Sequence, residues 1–188
     1  MIKIIGGKFK KTNLEVPEDY VRPTSALKRE AIFSILESDA IKNSYELYKN
    51  KCFIDLFAGS GAFGLEAISR GATYCVFYEI NNKVYDNLQK NCKLICQENE
   101  YKIYLQNSNF INNLELNYPL SSIFIDPPYD YNNFESLLNK LLSNKILNRN
   151  SIIIIETKKN KKIEFPKNLR MIKSKIYGKT KIIFLKKL

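Results

Sequence analysis

The sequence contains no histidine, and its four cysteines, Cys52, Cys75, Cys92 and Cys96, include no CxxC pair. Zinc sites are built from those residue types, so no metal is assigned. Cys52 and Cys75 fall in apolar, strand-like runs, and Cys92 and Cys96 lie four apart on an expected helix, as buried reduced thiols of a cytosolic protein would. No stretch approaches the roughly 18 consecutive apolar residues of a membrane span, and the opening MIKIIGGKFKK lacks the long apolar run of a secretory signal. A cytoplasmic protein with no membrane partner is the expectation. Repeats, linkers and low-complexity tracts are also missing. Arginine is scarce: of 30 basic residues, 25 are lysine and five arginine. The net charge of +11 suits a polyanionic partner. A composition this rich in Lys, Asn and Ile raises the pI without any binding function, so the charge is mild support for nucleic acid and no more.

With 45% hydrophobic residues over 188 positions, the chain can build one full core. Ile2, Ile4 and Ile5, then Gly6-Gly7, then Lys8, Lys10, Lys11, Leu14 and Val16 read as a small hairpin with a basic turn. In VRPTSALKREAIFSILES, Pro23 holds Arg22 extended, and Thr24 or Ser25 can cap the helix that follows. From residue 51 strands and helices alternate. Strands are expected at Cys52–Phe57, Thr73–Glu79, Tyr101–Gln106, Ile123–Asp126 and Ile152–Glu156, with helices at Gly61–Arg70, about Asn82–Glu98 and Phe134–Lys145. Such alternation predicts a parallel α/β sheet covered on both faces. Met171–Tyr177 and Thr180–Leu185, joined by Gly178-Lys179, are expected to add an antiparallel hairpin. Residues 1–40 form an N-terminal extension and 41–188 the main domain.

The strongest local signal is FIDLFAGSGAFGLEAISRG, where Gly59, Gly61 and Gly64 spell G-x-G-x-x-G between a strand and a helix and Glu79 ends the next strand. Glycines there permit a tight turn and close approach to a ligand, and the acid suits a ribose diol. Alone, this fits a nicotinamide enzyme as well as a methyltransferase. Asp55 separates the two. A pyrophosphate at the glycine turn would be repelled by a carboxylate, whereas S-adenosylmethionine carries a sulfonium and an ammonium that it attracts. The terminal antiparallel hairpin also resembles the class I, Rossmann-like methyltransferase fold, with a mostly parallel seven-stranded sheet. S-adenosylmethionine is the expected cofactor.

SSIFIDPPYD, Ser121 to Asp130, places an acid, two prolines and a tyrosine at the carboxyl end of a strand buried on both faces. Asp126-Pro127-Pro128-Tyr129 resembles the [DN]-P-P-[YFW] signature of methyltransferases that act on planar amino nitrogens. The lone pair of such a nitrogen is conjugated into the ring. The Asp126 side chain and the Pro127 carbonyl can hold its N–H bonds and turn the lone pair towards the methyl group. Pro128 stiffens the chain, and Tyr129 supplies a face for the base. No strong general base is needed, so a chain without histidine is no objection.

IIGGKFKKTNLEVP, RPTSALKREAIFSIL, DLFAGSGAFGLEAISRGA, NSNF, FIDPPY and IYGKTKIIFLKK occur in this order. Together they resemble the bacterial 16S rRNA guanine-N2 methyltransferases of the RsmD family over essentially the whole chain. The RPT…RE block carries the substrate information, because DPPY is shared by adenine, cytosine, guanine and glutamine methylases. The resemblance implies methylation of N2 of one guanosine in 16S rRNA, within the 30S subunit or its assembly intermediate. A monomer is the expectation. It implies that Asp55, Phe57, Ala58, Gly59, Ser60 and Gly61 surround the methionine part of the cofactor. It further implies that Glu79 takes the ribose hydroxyls and that Asn107, Ser108 and Asn109 lie beside the adenine. Many methyltransferases have an acid at that last place, where this chain offers amides and a hydroxyl. Arg22 and Thr24 are expected to reach the cofactor carboxylate or order a lid. Lys8, Lys10 and Lys11 are candidates for rRNA phosphates, and an ordinary solvated surface fits them equally well. The competing readings are a DNA adenine-N6 methylase, for which no segment has the length of a target-recognition region, and a non-catalytic assembly factor, which would leave DPPY and the glycine loop without a purpose.

Overall fold

The computed structural model describes residues 2–16, 25–111 and 114–188. Arg22 and Thr24 lie outside them. A short hairpin, β1 (Ile2–Lys3) and β2 (Asn13–Leu14), precedes α1 (Ala26–Lys42). Then follow β3 (Cys52–Asp55), α2 (Ala62–Ser69), β4 (Tyr74–Glu79), α3 (Asn82–Ile95), β5 (Tyr101–Leu105), β6 (Leu120–Ile125), α4 (Phe134–Ser143), β7 (Ile152–Lys158), β8 (Leu169–Tyr177) and β9 (Thr180–Lys187). The seven long strands form one sheet in the order β5-β4-β3-β6-β7-β9-β8. The five from β5 to β7 are parallel, and β9 is antiparallel to both β7 and β8. This is the expected α/β fold with its antiparallel terminal hairpin.

Alternate residues of each strand go to opposite faces. Phe53, Phe77, Phe124, Ile154 and Phe184 join α1 and α2 through Phe33, Leu36, Phe63 and Leu65. Ile54, Val76, Ile123, Ile155 and Ile183 join α4 through Leu137, Leu138 and Leu141. Both faces are therefore dry, as near-continuous apolar strands require. Ser25 caps α1 by accepting from the Lys28 amide at 3.3 Å.

Some boundaries differ from those the sequence suggests. β3 ends at Asp55, and the Leu56 and Ala58 amides still bond the flanking strands, at the carbonyls of Phe124 (3.0 Å) and Tyr78 (2.9 Å), which anchors the start of the loop. α3 ends at Ile95, where Cys96 turns extended and Gln97 and Glu100 form a capping box for a short 3-10 turn. β6 begins at Leu120 because Ser121 and Ser122 are buried within it, two hydroxyls that interrupt the apolar pattern without interrupting the strand.

The N-terminal hairpin docks on the far end of α2. The Ile5 and Gly6 amides donate to the two Glu66 carboxylate oxygens at 2.8 and 2.7 Å. The Lys8 amide donates to the Ser69 carbonyl at 2.7 Å, and Ser69 Oγ donates to the Gly6 carbonyl at 2.6 Å. Gly7 has φ +73°, and a Cβ there would lie 1.8 Å from the Ser69 carbonyl oxygen. Only glycine fits this approach, which explains Gly6-Gly7 in the amino-terminal motif. Ile2, Ile4 and Leu14 consequently belong to the same core as α1 and α2.

Candidate active site

In a sheet of this topology the ligand crevice lies at the carboxyl ends of the strands, where the order reverses between β3 and β6. A cavity of about 620 Å³ opens there, within the range of small-molecule sites. Register decides what faces it. Phe77, Asp55, Phe124 and Ile154 are partners across β4, β3, β6 and β7, so they share the face covered by α1. Two residues further on, Glu79, Asp126 and Glu156 return to that same face at the strand ends. All four acids line the cavity. The basic side chains on its wall are Lys28 and Arg29 of α1, and Lys28 is ion-paired with Glu156. The wall is acid-rich and favours a cationic ligand.

The glycine loop is held from two sides. Glu79 Oε2 accepts from the Gly59 amide at 3.0 Å, and Oε1 accepts from the Ile80 and Asn81 amides at 2.8 and 2.9 Å. Gly59 takes φ +54°, a conformation that L side chains rarely adopt. Behind the loop, buried Asn91 of α3 donates to the carbonyls of Ser60 and Glu15, each at 2.9 Å, and accepts from the Glu15 amide at 2.8 Å. That side chain ties the loop to the segment after β2. Asn91→Leu leaves those groups unpaired, at about 1–3 kcal/mol for each buried one. The expected result is a melting temperature lower by roughly 5–10 °C. An unchanged melting curve would show that the network contributes nothing.

Two buried polar atoms on the cavity wall have no partner among the described residues, Asp55 Oδ1 and Ser108 Oγ. Burial pushes the Asp55 carboxyl up to about 8; the Asp126 and Glu79 charges add to this, and the Gly64 and Phe57 amides oppose it. Orphaned acceptors at a glycine-lined opening fit a ligand that brings both positive charge and donors. S-adenosylmethionine is such a group, so its chemistry and these residues agree.

At the other end of the cavity, Asp126 is half-buried, Pro127 buried, and Tyr129 37% exposed, enough to offer its ring to a base. Lys158 Nζ stands 5.3 Å from the Tyr129 ring centroid. Phe57 packs edge-on to Tyr131 at 5.3 Å, and the Tyr131 hydroxyl donates to Asn109 Oδ1 at 2.8 Å. Asn107 Oδ1 accepts from the Asn109 amide at 2.8 Å, so the NSN segment is a hydrogen-bonded turn with Ser108 at its centre.

A family model described as Conserved hypothetical protein 95 matches residues 2–186. Ribosomal RNA small subunit methyltransferase D of Buchnera aphidicola (Acyrthosiphon pisum) is 38% identical over 180 residues, covering 93% of this chain and 87% of that protein. The chain belongs to this family, the RsmD family. The protein of the same name from Escherichia coli K12 is 32% identical over 94% of this chain and 85% of its own length. The solved structure of yhhF from Escherichia coli matches with a TM-score of 0.83 at 28% identity, covering 99% of this chain and 97% of that one. The fold of this RsmD-family chain is the class I methyltransferase fold.

In this RsmD-family site the cavity gathers Asp55, Phe57, Ala58, Gly59, Ser60, Glu79, Asn107, Ser108, Asn109, Asp126, Pro127, Pro128 and Tyr129. Gly61 and Gly64 are not on its wall. A Cβ on Gly64 would lie 2.3 Å from the Phe77 ring, so Gly64 serves helix–strand packing, and Gly61 caps α2 at φ +78°, a conformation that favours glycine. Lys8, Lys10 and Lys11 are exposed and sit with the docked hairpin at the far end of α2, about 12 Å from the glycine loop at 1.5 Å per helical residue. Sequence reading missed Lys28, Tyr131 and Glu156. Glu156 carried a signal, since it closes the apolar run of β7 as Asp126 closes that of β6. Lys28 carried none, because only the packing of α1 over the sheet brings it to the site.

Proposed function

We propose that this protein transfers a methyl group from S-adenosylmethionine to the exocyclic N2 of a guanosine in 16S rRNA, on the 30S subunit or its assembly intermediate, acting as a monomer. One observation carries the reading: Asp126-Pro127-Pro128-Tyr129 and the Gly59–Glu79 cradle open into a single cavity from neighbouring strands. The small-subunit rRNA methyltransferases among its relatives support the substrate class. When bound, the cofactor supplies a methyl group on a positively charged sulfur. The Glu79 carboxylate, fixed by three backbone amides, is the acceptor for the ribose hydroxyls, and Asp55 faces the cationic part. Ser108 and Asn109 take the adenine. The target base is taken out of its stack onto Tyr129. Asp126 and the Pro127 carbonyl accept its two N–H bonds, so the nitrogen is drawn towards tetrahedral geometry and its lone pair out of conjugation with the ring before reaction. After transfer the acidified nitrogen gives its proton to Asp126 or water. Lys8, Lys10 and Lys11 are assigned to rRNA phosphates remote from the reacting nucleotide, with residues 1–40 as the extension that carries them.

Cofactor binding tests the first half of this reading. Gly59→Val forces a β-branched residue into the left-handed region and should abolish heat of S-adenosylmethionine binding. Asp55 adds a pH signature. Its carboxyl is mostly protonated at pH 7 in the empty protein, because its pKa is raised to about 8. A cation beside it favours the ionised form and lowers that pKa, so binding releases about one proton at pH 7 and tightens as pH rises towards 8. The release is read by calorimetry in buffers of different ionisation enthalpy, and Asp55→Asn should remove it. Proton release that persists in Asp55→Asn would place the titrating group elsewhere. Methylation of 30S particles yielding any nucleoside other than N2-methylguanosine would overturn the substrate assignment.

A further inference from the structure

We infer that the lysines at the carboxyl ends of β7 and of the β8–β9 hairpin form the phosphate-binding surface for the RNA strand flanking the reacting nucleotide, with Lys158 its innermost contact. The inference rests on the rRNA reading above and adds where the strand lies.

β7 and β8 run in the same direction, so the segment after Lys158 and the Gly178-Lys179 turn emerge on the side of the sheet where the cavity opens. Lys158, Lys159, Lys161, Lys162, Lys179 and Lys181 are brought together there. The Lys159 amide donates to the Lys179 carbonyl at 2.8 Å, and Lys181 Nζ donates to the Lys161 carbonyl at 2.9 Å, which straps the two segments side by side. Lys158, Lys159, Lys162 and Lys179 are exposed. The acids on the adjoining loops are Asp130 and Glu164, so the surface has a clear positive excess.

In a lysine-rich chain a basic run alone means little. Placement is what distinguishes this one. Lys158 Nζ is 5.3 Å from the Tyr129 ring, and Lys161 hydrogen-bonds Asn132, in the loop that carries Tyr129. A nucleotide carries its phosphates beside its base, so a base stacked on Tyr129 brings backbone charge to Lys158 and its neighbours. The acid-rich cavity wall is the opposite in sign. One end of the sheet is thus divided into an acidic half for a cationic cofactor and a basic half for a polyanion. The hairpin lysines Lys8, Lys10 and Lys11, at the far end of α2, are out of reach of that nucleotide.

The test combines Lys158→Gln, Lys159→Gln and Lys162→Gln in one variant. Its affinity for a fluorescein-labelled single-stranded RNA 12-mer containing one guanosine is measured by anisotropy between 50 and 300 mM KCl. Loss of three phosphate contacts should reduce the slope of log affinity against log salt by about 2 and weaken binding about 100-fold at 100 mM salt. The melting temperature and S-adenosylmethionine affinity should stay at wild-type values. The triple variant of Lys8, Lys10 and Lys11 should bind this short RNA within about threefold of wild type while losing affinity for 30S particles. An unchanged slope in the β7-loop variant, with 30S methylation intact in the wild type, overturns the surface and leaves the function standing. A reduced slope in the variant alongside a wild type that methylates no 30S particle supports the surface and overturns the function.

Discussion

Asp126→Ala is expected to slow single-turnover methylation of 30S particles by about 10²–10³-fold, the scale of losing one preorganised hydrogen-bonding group at a reacting centre. RNA affinity should change less than about threefold, because binding is dominated by phosphates. The contrast follows from position. Asp126 is at the strand end facing the cavity, whereas Lys158, proposed above to meet the RNA backbone, stands at the Tyr129 ring. Asp126→Asn separates alignment from proton removal: the amide oxygen still accepts an N–H but cannot take a proton. Substantial activity for Asn and none for Ala would mean the group orients the amino nitrogen. Tyr129→Phe should retain most of the rate because the stacking face remains, and Tyr129→Ala should not. Wild-type rates for Asp126→Ala would sink the chemical assignment outright.

Glu66→Ala should be the most destabilising single change outside the site. Its carboxylate is fully buried and accepts from the Ile5 and Gly6 amides and from Arg70 Nε at 2.8 Å, with Arg29 Nε at 3.5 Å. Removing it leaves Arg29 buried without its counter-charge and cuts the hairpin from α2. Breaking a buried pair in this way costs about 3–5 kcal/mol, which for a chain of this size lowers the melting temperature by roughly 10 °C or more. Trypsin should also cut at Lys8, Lys10 or Lys11 sooner than in the wild type, since those lysines sit on the undocked hairpin. Glu66→Gln keeps the volume and one acceptor and should fall between. A melting temperature within 2 °C of wild type for Glu66→Ala would mean that the network is not what holds the hairpin.

Much of the site was legible because its residues are punctuation. Gly59, Glu79 and the Asp126-Pro127-Pro128-Tyr129 run each interrupt an apolar strand at its carboxyl end, and in a parallel sheet those ends meet. The local code therefore reported a tertiary fact. Gly61 and Gly64 were read as ligand contacts from the same motif, yet Gly61 sits at φ +78° at the start of α2 and the Phe77 side chain occupies the space a Cβ on Gly64 would need. A glycine required for packing and one required for a ligand look alike in a string of letters. Lys28 and Asn91 were illegible for a different reason. Each is an unremarkable polar residue on a helix until the packing of α1 and α3 brings it to Glu156 or Ser60. The lysines near Tyr129 were not singled out in the sequence, because lysine is common throughout this chain and only the sheet order brings these beside the DPPY loop.

β9 follows β8 in sequence but is inserted between β7 and β8 in space. During synthesis the elements that build the cavity, from β3 to β7, leave the ribosome before this hairpin, and β8 emerges with its pairing strand still to come. Until β9 arrives, β7 has an open edge and Ile154 lacks Phe184 beside it. A chain that ends after β8 would keep every strand whose end lines the cavity, yet leave the β7 edge unpaired and open to foreign strands. The sealing element is Thr180–Lys187.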